Sequence, residues 1–126
     1  MKAIATALIA YAVAEAVWLT SMRTIYAKWF AAFALGPLEV RSVAAAVLAY
    51  AALIAGFVAL VVLPGRKGVV LRGALFGLAV YGVYNFTNMA TLKGYPWEMV
   101  AIDTLWGTTV FAGTALVYLM VDATKV

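Results

Sequence analysis

Apolar residues run along this chain in four long blocks separated by short polar or glycine- and proline-bearing segments. The blocks cover residues 3–22, 43–63, 71–92 and 97–121. Each reaches roughly the 20 residues that a helix needs to cross the hydrocarbon core of a bilayer. The pattern predicts an all-α integral membrane protein, with four transmembrane helices forming one antiparallel bundle over residues 1–126.

The punctuation agrees with these limits. Pro64-Gly65-Arg66-Lys67-Gly68 stops the second block in a tight charged turn. Lys93-Gly94-Tyr95-Pro96-Trp97 separates the third from the fourth, with Tyr95 and Trp97 suited to the interfacial aromatic belt. Pro96 pre-sets the first turn of the last helix, where a missing N–H costs nothing. Residues 24–40 are moderately apolar, hold Tyr26, Lys28, Trp29, Phe30 and Phe33, and are broken by Gly36-Pro37. That segment predicts a short amphipathic helix lying in the interface. The first block superficially resembles a secretory signal, with Lys2, an apolar run and Ala14-Glu15-Ala16. Its apolar stretch continues through Trp18 and Leu19 to full spanning length, which predicts a retained helix.

Composition narrows the chemistry. Hydrophobic residues make up 67% of the 126 and charged residues 11%, too few charges for a wet surface. There is no cysteine and no histidine, so thiolate chemistry, the commonest general base and the commonest transition-metal ligand are all missing. No metal site and no cofactor is expected. The net charge of +4 is spread over loops and ends as anchors beside acidic headgroups, without the basic run that nucleic acid requires. Four spans put both termini on one face. That face carries Lys2, Arg66, Lys67, Arg72 and Lys125, against Arg23, Lys28, Arg41 and Lys93 opposite, a small bias toward cytoplasmic termini.

Two acids stand out. Glu15-Ala16-Val17-Trp18 and Asp103-Thr104-Leu105-Trp106 each place a carboxylate inside an apolar block, with a tryptophan three residues on. An ionisable group at membrane depth costs a few kcal/mol and is kept for pairing or function. At 1.5 Å per residue, Glu15 lies about 10 Å before the end of its helix and Asp103 about 9 Å after the start of its own. Antiparallel threading brings both to one depth. The third helix delivers Tyr81, Asn85 and Asn88 to the same layer on one face, with Tyr84, Asn88 and Thr91 as the neighbouring stripe. In the first helix Tyr11, Glu15 and Trp18 repeat that spacing. The candidate ligand-binding set is therefore Glu15, Trp18, Tyr81, Tyr84, Asn85, Asn88, Asp103 and Trp106.

Asparagine, threonine and tyrosine in such a layer also serve simply to hold helices together, at about 0.6 kcal/mol each. Two carboxylates demand more: a shared proton, a bound cation, or a basic partner such as Arg23, Arg41 or Lys93. Gly73-x-x-x-Gly77 with Gly82, and Gly107 with Gly113, predict smooth faces for close helix approach. Ala44-Ala45-Ala46 and Ala51-Ala52 allow tight packing of the second helix.

Glu15-x-x-Trp18-Leu19, the segment Tyr84-Asn85-Phe86-Thr87-Asn88-Met89-Ala90-Thr91-Leu92, then Gly94-Tyr95-Pro96-Trp97 and Asp103-x-x-Trp106-Gly107 together resemble domain-of-unknown-function family 2177. The resemblance covers nearly the whole chain. It implies a small bacterial protein of the inner membrane with four helices, and it implies no activity. The first-span acid expected in that family is aspartate, where this chain has Glu15.

Three functions remain open on these residues. The first is binding or transport of a proton, a cation or an amphipathic, lipid-like ligand in the acidic pocket. The second is a structural or assembly role with a membrane-protein partner or a second copy. The third is an intramembrane lipid-modifying enzyme with Glu15 and Asp103 as acid and base, which the missing histidine disfavours. The bilayer itself is the one partner common to all three.

Overall fold

A computed structural model describes residues 1–33 and 41–123. It contains α1 (Lys2–Ser21), α2 (Arg23–Phe33), α3 (Val43–Gly56), α4 (Val69–Thr91) and α5 (Trp97–Ala123), with α3 continuing as a π-helical segment, Phe57–Val62. Among the described residues, α1, α3 with its continuation, α4 and α5 are long and apolar enough to cross a membrane. The part of the expected interfacial segment holding Gly36-Pro37 lies outside the described residues.

The helices are paired by small residues. A Cβ on Gly77 would lie 2.0 Å from the Gly107 carbonyl oxygen, and one on Gly73 2.5 Å from that of Phe111. One on Gly82 would come no closer than 3.8 Å, to the Thr104 methyl. As numbers rise on α4 they fall on α5, so the two helices run antiparallel with backbones in near contact. Gly107 also admits the Tyr81 ring, which a Cβ would meet at 2.1 Å. Gly113 does not join this face: nothing lies within 4 Å of its would-be Cβ, because it points away from α4.

On α1 the buried residues are Ala3, Ala7, Tyr11 and Glu15, one stripe at a spacing of four, while Ile9, Val13 and Val17 are exposed. That stripe packs on α5, where Tyr11 stacks on Phe111 with ring centroids 4.9 Å apart. Phe57, Phe76 and Phe111 complete an apolar core near the turn that joins α3 to α4.

The second span does not use the close packing that its small residues allow. The alanine runs of α3 do not pack tightly; no residue of Val43–Gly56 is buried. The buried residues of this span, Phe57, Val61 and Val62, all lie in its π-helical end, with Leu53 packed beside them from α3. There Leu63 N–H reaches the Val58 carbonyl, five residues back. Carbonyls freed at this end need partners in a low-dielectric setting. Arg72 supplies them: its guanidinium donates to Val61 O at 2.9 and 3.0 Å, to Lys67 O at 2.6 Å, and to Gly65 O.

At the opposite end, α1 breaks at Met22 and α2 turns across the bundle. Tyr26 and Trp29 are its buried residues. They join Tyr95, Met99 and Val100 in a second core under that helix. Gly94, at φ +85°, lets the α4–α5 turn approach α2 so closely that a Cβ would lie 2.6 Å from Ala32 O. Tyr95 consequently turns inward and is 6% exposed, rather than joining the aromatic belt; Trp97 stays outside.

Candidate functional site

Glu15 and Asp103 are 9% and 8% exposed, and both line one cavity of about 590 Å³. Each carboxylate is held by side chains from other elements. Glu15 Oε1 accepts from the Tyr81 hydroxyl at 2.7 Å and from the Trp106 indole N–H at 2.9 Å. Asp103 Oδ1 accepts from the Tyr26 hydroxyl, and Oδ2 accepts from Asn85 Nδ2 at 2.6 Å.

The two acid-x-x-Trp motifs serve each other. Trp106, one turn beyond Asp103, donates to Glu15. Trp18, one turn beyond Glu15, donates at 3.1 Å to the Tyr26 hydroxyl that holds Asp103. The two indoles are stacked between them. A second route runs through α4, where Asn85 Nδ2 also reaches the Tyr81 carbonyl at 2.9 Å. Asn85 Oδ1 accepts from the Tyr95 hydroxyl at 2.8 Å.

The indole N–H and the amide N–H can only donate, so each acid meets at least one group that acts solely as a donor. Every donor is electrically neutral. Neither carboxylate forms an ion pair among the described residues. Among the described residues, Arg23 is the one basic residue lining the cavity.

Burial pushes the Tyr26 phenol up, with Asp103 adding to the effect, and pushes Tyr95 up to about 12. Both therefore remain protonated, and able to donate, at neutral pH.

Of the eight residues singled out from sequence, Glu15, Trp18, Tyr81, Asn85, Asp103 and Trp106 form this connected network. Tyr84 is half exposed but still lines the cavity. Asn88 is partly buried beside the Tyr84 and Tyr95 hydroxyls, away from the cavity lining. Sequence reasoning missed Tyr26 and Tyr95. The signal for Tyr26 was available: with Trp29, Phe30 and Phe33 it makes an aromatic face at helical spacing, which points at a core as readily as at a membrane surface.

The far wall of the cavity is α3. Ala49, Tyr50 and Leu53 face the network across the gap left where this helix stands off the bundle. Apolar walls with a few convergent polar groups are the usual makeup of a small-molecule pocket. Among the described residues no three acidic side chains come together as a metal ligand set.

No curated protein and no solved structure matches this chain. A family model described as "Predicted membrane protein (DUF2177)" matches residues 1–120, and the chain belongs to that family.

Proposed function

We propose that the protein binds an amphipathic, lipid-like ligand drawn from the bilayer. The observation that carries this reading is the cavity itself. It lies between a helix that buries no residue and a layer holding two carboxylates without ionic partners. A helix standing off from its neighbours leaves a lateral opening through which an acyl chain can enter from the membrane. The polar head would then lie at the depth of Glu15 and Asp103.

Ala49→Trp tests this reading, because Ala49 lines the far wall and takes no part in the hydrogen-bond network. Native mass spectrometry of the protein released from mild detergent should find a lipid-sized adduct on the natural chain and little on the variant. Equal adduct on both, with the variant folded, overturns the assignment of the ligand to this cavity.

A further inference from the structure

We infer that the polar group received by this cavity is an alkylammonium, an inference that rests on the ligand reading above. The first observation is an unused acceptor. Both hydrogen bonds to Glu15 end on Oε1, while Oε2 has no partner among the described residues. Oε2 is not sealed in: Thr104 Oγ1 is the only fully enclosed side-chain polar atom without a partner among the described residues. Glu15 therefore offers one carboxylate oxygen to the cavity that it lines.

The second observation is the character of the remaining walls. Tyr11, Tyr26, Tyr50, Tyr81 and Tyr84 all line the same space. Aromatic rings grouped around a carboxylate suit a cation, since each π-face attracts positive charge. Asp103 strengthens the same preference, although its own oxygens are already occupied. Among the described residues, a headgroup that is purely anionic would meet two carboxylates and one basic side chain.

That basic side chain is Arg23, at the junction of α1 and α2 and lining the cavity with Leu19 and Glu15. Glu15, Leu19 and Arg23 follow one another at helical spacing of four. Arg23 makes no ion pair or hydrogen bond among the described residues, which leaves its guanidinium for a phosphate. An ammonium with a phosphate nearby is the head of an aminophospholipid; an ammonium alone is that of a lipophilic amine. The cation is common to both.

The test measures binding of three probes to the protein in detergent by native mass spectrometry: phosphatidylethanolamine, its N-acetylated derivative and dodecylammonium. Phosphatidylethanolamine should bind about tenfold or more tightly than the N-acetylated lipid, and Glu15→Gln should erase that difference. Arg23→Ala should weaken phosphatidylethanolamine and leave dodecylammonium unchanged if an aminophospholipid is the ligand; if it leaves both unchanged, a lipophilic amine is. Equal binding of the acetylated and free lipids to the natural chain overturns the ammonium and leaves a ligand cavity, a result that needs no variant to fold. If no probe binds, the ligand reading itself fails as well.

Discussion

Trp18 and Trp106 lie face to face, their ring centroids 4.3 Å apart and their planes within 2° of parallel. They come from helices at opposite ends of the sequence. Each N–H points away from the stack toward the polar layer, one to Glu15 directly and the other to Tyr26. The stack is therefore a clamp between α1 and α5 as well as a source of two donors. Trp106→Phe keeps an aromatic surface but removes the donor to Glu15, and should lower stability by about 0.6–2 kcal/mol. Trp106→Ala should cost about 0.5–1.5 kcal/mol more by losing the stack. Thermal unfolding in one detergent checks the order of the two variants.

Gly77 and Gly113 make a matched pair. Gly77→Ala puts a methyl 2.0 Å from the Gly107 carbonyl oxygen, so α4 and α5 must separate. Overpacking of this kind costs about 1–3 kcal/mol, and more where backbone cannot yield. Gly113→Ala meets nothing within 4 Å and should leave stability unchanged or slightly raised, since alanine favours helix. Melting temperatures of the two variants should differ in that direction.

Tyr26 ties α2 to the bundle through Asp103. Tyr26→Phe leaves Asp103 Oδ1 short of its donor at a buried position, at a cost of about 1–3 kcal/mol. The loss should be local: amide hydrogen exchange should accelerate over residues 23–33 while α4 and α5 keep their protection.

Arg72 holds carbonyls of three residues with one planar fork. Lysine carries the same charge but cannot divide its donors in that geometry. Arg72→Lys should therefore destabilise the α3–α4 turn by about 1.5–3 kcal/mol. Proteolysis within residues 63–68 should increase in the variant.

Tyr95 gives a pH dependence. Its folded-state pKa lies above the ordinary value of 10.0, pushed up to about 12 by burial. The folded protein thus holds this proton more tightly than the unfolded chain does. Tyr95 contributes stability that is full below pH 10 and is lost as pH rises from 10 to about 12. Tyr95→Phe should make the alkaline fall in stability shallower over that window, as followed by denaturant titration at several pH values.

How much of this was legible in the sequence depends on the kind of signal. The spans were, because membrane thickness sets their length and Pro64-Gly65 and Gly94 end them. The meeting of Glu15 and Asp103 followed from helix rise and antiparallel threading alone. Pairing through Gly73, Gly77 and Gly107 followed from residue size. Helix azimuth was less accessible. Gly113 has the composition of a contact residue but faces away from α4, and the alanines of α3 permit packing that the fold does not use. Tyr95 has the type of an interfacial anchor, and only the left-handed turn at Gly94 directs it inward.

The π-helical segment Phe57–Val62 fixes something beyond its own packing. An α-helix advances about 100° per residue, so a turn holding one extra residue rotates everything before it by a comparable angle. The direction in which Tyr50 and Leu53 face is thus decided downstream, in a stretch of Phe, Val, Ala and Leu without a single polar side chain. Removing one residue there would swing the opposite wall out toward the acyl chains while leaving both acids where they are. The wall that faces the acids, Tyr50 included, is thus aimed by a stretch that supplies no polar group of its own.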